Sequence, residues 1–155
     1  MRLAVGSDER THLTDAVIAW LREQGHELTL VGPLADQAAA WPAVGRAVAE
    51  QVAAGAVEEG VLFCWTGTGV SIAANKVPGV RAALCEDAET AAGARKWNNA
   101  NVICLSLRRV SEARAREILE AWFKTAYQPN PDDDACLTQI SDIERAYSAA
   151  RDPGA

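Results

Sequence analysis

Gly60-Val61-Leu62-Phe63-Cys64-Trp65-Thr66-Gly67-Thr68-Gly69-Val70-Ser71-Ile72-Ala73-Ala74-Asn75-Lys76 is the stretch around which this chain is organised. A short apolar run ends in a thiol, a glycine–threonine turn follows, and an alanine-rich segment completes it. That order reads as a buried strand, a tight turn and the start of a helix. A cysteine at the tip of such a strand meets backbone N–H donors and the positive end of a helix dipole, a setting that favours thiolate over thiol. The same turn suits an oxyanion or a phosphate. One segment thus offers a base or nucleophile beside an anion site.

Working outward, apolar runs at 2–5, 27–31, 61–64, 80–85 and 101–105 read as five strands. Leu13, Val17, Trp20 and Leu21 recur at helical spacing after the first, and Gly25 closes that helix. Val44, Val48 and Val52 mark a second helix ending at Gly55, after a loop over 34–42. Segments 67–76 and 88–96 read as alanine-rich helices, and Pro78-Gly79 as a turn. Ser111 is a good N-cap for a long helix reaching about 127. Pro129, Pro131 and the aspartates at 132–134 break the pattern before an amphipathic helix over 136–150 and a low-complexity tail at 152–155. The chain divides into an α/β domain over 1–127 and a C-terminal arm and helix over 128–155.

Strands alternating with helices imply a parallel sheet covered on both faces, a three-layer αβα sandwich. Five strands suggest the flavodoxin-like order 2-1-3-4-5, with ligands beyond the carboxyl ends of strands 1 and 3. Those ends carry Gly6-Ser7-Asp8-Glu9-Arg10 and Cys64-Trp65-Thr66.

Composition narrows the function. The 155 residues, 49% hydrophobic and 23% charged, suffice for one ordinary globular core. A net charge of −6 argues against a nucleic-acid surface and slows an anionic substrate unless the site is locally positive. Leu3-Ala4-Val5 follows Met1 at once, and neither a signal-peptide pattern nor a membrane-length apolar span is present, so a cytoplasmic location is expected. Cys64, Cys85, Cys104 and Cys136 lack metal-ligand or disulfide spacing and read as reduced, mostly buried thiols. No metal and no cofactor are expected.

Several polar residues then stand out. Where strand 1 turns into a helix, Asp8 or Thr11 reads as the helix cap, and Asp8 also reads as a carboxylate that binds hydroxyls or moves a proton, two roles that are compatible. Trp97-Asn98-Asn99-Ala100-Asn101, placed at the same sheet edge, either closes a helix or recognises hydroxyls. Trp41, Trp65 and Trp97 fall in expected loops or turns, as packing anchors or as platforms for sugar faces, whereas Trp20 and Trp122 sit at core spacing.

Together these residues resemble the ribose-5-phosphate isomerase B / galactose-6-phosphate isomerase family. The resemblance rests on Cys64, Thr66, Gly67, Gly69 and Ser-Ile-Ala-Ala-Asn-Lys at 71–76, and further on Gly6-Ser7-Asp8, Val77-Pro78-Gly79-Val80-Arg81-Ala82 and 98–102. It covers roughly residues 1–127 and implies metal-independent aldose–ketose isomerisation of a sugar phosphate through an enediol(ate). Cys64 would be the base, Thr66 would assist, and the turn of Gly67, Thr68 and Gly69 would stabilise the enediolate oxygens. Asp8 and Asn98 would bind sugar hydroxyls. A homodimer is implied, with its arm on the partner subunit and further pairing into a tetramer left open.

The departures are specific. Glu9 and Trp97 stand where the family usually has histidines, the latter its ring-opening acid, and Trp41 replaces a tyrosine. The arm, which in the family brings basic residues to the phosphate, carries aspartates at 132–134 and no basic residue before Arg145. Arg10 is the first local replacement and Arg108 the second. His12 is either a substitute acid or a helix-face histidine. Two substrate readings follow: a phosphosugar needing no ring opening, such as a tetrose 4-phosphate, or an unphosphorylated sugar held by the tryptophans. A non-catalytic sugar-phosphate binder is the alternative from another class, and Cys64 together with Thr66 speaks against it. A redox role lacks a resolving cysteine.

Overall fold

The computed structural model describes residues 1–149, so the tail at 152–155 and the last residue of the expected 136–150 helix lie outside the described residues. The strands are β1 (Arg2–Ser7), β2 (Glu27–Val31), β3 (Glu59–Cys64), β4 (Ala82–Leu84) and β5 (Val102–Ser106), all parallel in one sheet. The helices are α1 (His12–Glu23), α2 (Trp41–Ala53), α3 (Thr68–Ala74), α4 (Ala88–Asn98), α5 (Glu112–Lys124) and the arm helix α6 (Pro131–Ala149).

Period-2 alternation sends strand side chains to two cores. Leu3, Val5, Val61, Phe63, Ile103 and Leu105 pack with α1, α4 and α5 on one face. Ala4, Leu62, Cys64, Val102 and Cys104 pack with α2 and α3 on the other. The three-layer αβα sandwich is therefore as expected. Thr11 caps α1 through a capping box with Thr14, and Ser111 caps α5 as the sequence indicates.

The strand order differs from expectation: it is 2-1-3-5-4, not 2-1-3-4-5. Every residue of β5 is buried, and each gains from neighbours on both sides, so β5 takes the interior beside β3. β4 is only three half-buried residues and tolerates an edge. Asn75 shields that edge: its side-chain amide donates to the Ala82 carbonyl and accepts from the Ala82 N–H, both at 2.8 Å.

Three boundaries also move. Trp41 is the first residue of α2 rather than part of a loop, because Pro42 suits a first helical turn. The expected break at 131–134 is instead the start of α6, where proline needs no N–H partner and three aspartates complement the helix dipole. α5 stops at Lys124, short of 127. Among the described residues no helix is long and apolar enough to cross a membrane.

At the amino end of β3, Glu59 is buried and accepts from Trp122 Nε1 at 2.6 Å while pairing with Arg95 at 2.6 Å. Arg95 also stacks over the Trp122 ring and donates to the Thr125 and Ala100 carbonyls. This cluster bolts the last turn of α4 to the sheet and to α5.

Candidate active site

β1 and β3 are neighbours, and beyond their carboxyl ends opens a cleft of about 410 Å³. Cys64 ends β3 with its side chain on the α2/α3 face, 5% exposed, and lines the cleft. Its carbonyl accepts from Gly67 N at 3.1 Å and Leu107 N at 3.0 Å. The Trp65 carbonyl accepts from Arg108 N at 3.1 Å and Ser106 Oγ at 2.9 Å. The turn is thus fixed both to itself and to the end of β5.

Gly67 holds φ at 75°, a conformation that favours glycine, and a Cβ there would also crowd the Leu105 backbone carbonyl at 3.1 Å. Thr66 and Thr68 flank it and hydrogen-bond each other, Oγ1 to Oγ1, at 2.6 Å. Both threonines line the cleft. At Gly69 a Cβ would sit 2.9 Å from the Trp41 ring, so the missing side chain lets that indole close one wall. Trp65, 60% exposed, forms part of the rim.

Asp8 lines the same cleft. The cap of α1 is Thr11, and Ser7 Oγ braces the intervening turn by donating to the Glu9 carbonyl at 2.6 Å. Burial, with a smaller contribution from the Glu9 charge, holds the Asp8 carboxyl above the usual aspartate value. Ile72 also lines the cleft, a residue passed over in the sequence although it stands one helical turn beyond Thr68.

Other expected residues lie elsewhere. Arg10 is engaged by Asp15 at 2.9 Å and Asp36 at 3.5 Å and does not line the cleft. Arg108 does not line the cleft either; it adjoins the turn through its backbone, and its side chain makes no ion pair among the described residues, whereas Arg109 pairs with Glu86. His12 is exposed and bound to Glu112, and His26 stacks on Phe123 with a centroid distance of 4.7 Å. Neither histidine lines the cleft. Cys85 and Cys104 are buried, and burial pushes both thiols upward, Cys85 to about 12.

Trp97 and Asn98 are not at the edge assigned to them. α4 returns the chain from the carboxyl end of β4 to the amino end of β5, so its last turn lies at the amino edge of the sheet, opposite Cys64. There both residues line a groove of about 640 Å³ beneath α6. Asn99, in the left-handed region, closes the helix, and Asn101 fixes the turn by accepting from Arg81 N and donating to the Gly79 carbonyl. Arg81 shares this groove, its Nε donating to the Asn98 and Asn99 carbonyls. It was present in the quoted 77–82 segment but has no charge pattern that singles it out.

Fold and cleft together define an α/β sandwich with a thiol, paired hydroxyls and a carboxylate at its carboxyl edge. The Ribose/Galactose Isomerase family model matches residues 3–140, running past 127 into α6. The chain is 36% identical over 116 residues to ribose-5-phosphate isomerase B of Escherichia coli, covering 75% of this chain and 78% of that protein. It is 34% identical over 131 residues to D-erythrulose-4-phosphate isomerase of Pectobacterium atrosepticum, covering 83% and 86%. The structure of Clostridium thermocellum ribose-5-phosphate isomerase B superposes with a TM-score of 0.89 at 34% identity, covering 95% and 99%. This chain belongs to the ribose/galactose isomerase family of sugar-phosphate isomerases.

Proposed function

We propose that this chain interconverts an aldose and a ketose phosphate through an enediol(ate), with Cys64 as the base and no metal. The observation that carries the reading is the convergence of Cys64, the Thr66–Thr68 hydroxyl pair and Asp8 on one cleft. Cys64 removes the proton next to the carbonyl and returns it to the neighbouring carbon. Thr66, with the amides of the Gly67–Gly69 turn, polarises the carbonyl and stabilises the enediolate oxygens. Asp8 orients hydroxyls, and Trp41 and Trp65 offer faces to the sugar C–H surface.

The preferred substrate is a tetrose 4-phosphate. Opening a furanose needs a proton donor and acceptor at the ring, and neither histidine lines the cleft. A tetrose esterified at O4 cannot close that ring. The relative named for D-erythrulose 4-phosphate supports this choice. Arg108 takes the phosphate ahead of Arg10, because Asp15 and Asp36 already engage Arg10.

The functional unit in this reading is a cytoplasmic homodimer. Trp97, 53% exposed, and Asn98 meet substrate only if a second copy brings its amino edge to the Cys64 cleft. Exposed Ile140 and Ile143 on α6 then give the arm, 128–155, an apolar face for the partner.

The test is deuterium uptake at C1 and C2, followed by NMR in D2O over a panel of aldoses, ketoses and their phosphates. Uptake that depends on Cys64 and is fastest with a tetrose 4-phosphate is expected. No exchange above the Cys64→Ala control across the panel would refute the isomerase reading and favour the binding module.

A further inference from the structure

Moving a carbonyl from one carbon to its neighbour needs two proton transfers, one between carbons and one between oxygens. Cys64 serves the first. For the second, a group must give a proton to O1 and take one from O2. We infer that Thr66 and Thr68 together form this oxygen-to-oxygen relay, an inference that rests on the isomerase reading above.

The geometry is specific. The two Oγ1 atoms are 2.6 Å apart, a short hydroxyl–hydroxyl hydrogen bond in which either can donate. The two oxygens of a cis-enediol lie at a similar separation, so each can face one hydroxyl of the pair. Both threonines line the cleft that Cys64 also lines, and the turn that joins the three residues is held by the bond from Gly67 N to the Cys64 carbonyl. Each hydroxyl has one proton and accepting lone pairs, so the pair donates at one end while accepting at the other.

The step balances. In the aldose-to-ketose direction the Cys64 thiolate takes the C2 proton, and the electron pair moves through C1 to O1. The hydroxyl facing O1 gives it a proton and receives the proton of its partner hydroxyl. That partner takes the O2 proton as C2=O2 forms, and the Cys64 thiol protonates C1. Both threonines end as they began.

The relay makes carbon exchange and net conversion separable. Without it, the enediolate still forms and returns to substrate carrying solvent deuterium on C2. Thr68→Val keeps the side-chain shape and removes one hydroxyl. Conversion of a tetrose 4-phosphate should fall on the order of ten- to a hundred-fold, and Cys64-dependent deuterium uptake into recovered substrate should fall much less, so that the ratio of exchange to conversion rises by about ten-fold or more. Thr68→Ser should restore conversion. A parallel loss of exchange and conversion in Thr68→Val, or wild-type conversion, would overturn the relay. So would uncoupling by Asp8→Asn in place of Thr68→Val, which assigns the oxygen proton to Asp8. Absence of exchange in the wild-type protein removes the isomerase reading itself, and the relay with it, so the two failures are distinguishable.

Discussion

Replacing Glu59 by alanine should destabilise the chain by about 3–5 kcal/mol, the cost of breaking a buried ion pair by removing one partner. Glu59 is 6% exposed, and the side chains of its ion pair with Arg95 are 8% and 15% exposed. The substitution leaves the guanidinium without its counter-charge and Trp122 Nε1 without its acceptor. An orphaned N–H alone costs roughly 1–3 kcal/mol, but both losses stem from one carboxylate and are not summed. Arg95 keeps its carbonyl contacts with Thr125 and Ala100, which limits the damage. For a domain of this size the midpoint of thermal unfolding should fall by roughly 8–16 °C.

Glu59→Gln keeps an acceptor for the indole and should cost less. It also isolates the charge. Burial, opposed in part by Arg95 and Trp122, raises the Glu59 carboxyl above its ordinary value of 4.5. The native state therefore holds this proton more tightly than the unfolded chain. The Glu59 contribution to stability accordingly declines as pH rises from about 4.5 through the raised native value, then levels off. Urea unfolding of wild type and Glu59→Gln across that interval should show their difference shrinking, then constant. A Glu59→Ala variant within about 1 kcal/mol of wild type would refute the account of this cluster.

Arg108→Ala should raise KM for the phosphorylated substrate by roughly ten- to a hundred-fold, the worth of a charge-assisted contact, with little change in kcat. Arg10→Ala should do so much less, and the reverse ranking in steady-state kinetics would return the phosphate to Arg10. Cysteine labelling near pH 8 should leave Cys85 and Cys104 unmodified until denaturant is added. Mass mapping of labelled peptides reads this directly. Native labelling of Cys104 would mean that β5 is not the buried strand described above.

The layers of the fold were legible because alternation and helical spacing are local. The strand order was not, because it depends on a comparison between strands far apart in sequence. Val-Ile-Cys-Leu-Ser at 102–106 and Ala-Ala-Leu at 82–84 both read as strands. Only the contrast between five fully buried residues and three half-buried ones separates centre from edge. The start of α6 was missed for a different reason. Proline and clustered aspartates signal a break within a helix and a beginning at its first turn, and the sequence does not say which.

The site divides along the same line. Cys64, Trp65, Thr66, Thr68 and Gly69 were found together because one contiguous turn carries them all. Asp8 joined them because adjacent parallel strands must end at the same edge. Trp97 and Asn98 were misplaced although that same rule locates them. A helix joining two parallel strands runs against them, so its last turn belongs to the edge where the next strand begins. Applied to α4, between β4 and β5, the rule puts Asn98 at the amino edge without reference to any side chain. The family resemblance had gathered both edges into one substrate site, and a single copy of this chain cannot do so. The proposed homodimer would resolve the contradiction by supplying opposite edges from two copies to each cleft, and the exposed Trp97 and the apolar residues of α6 would then fall in one interface. The neutralisation of Arg10 shows the remaining limit: Asp15 is near in sequence, but Asp36 reaches it only through the turn after β2. A cation beside a site in sequence is available to substrate only when no carboxylate has folded onto it first.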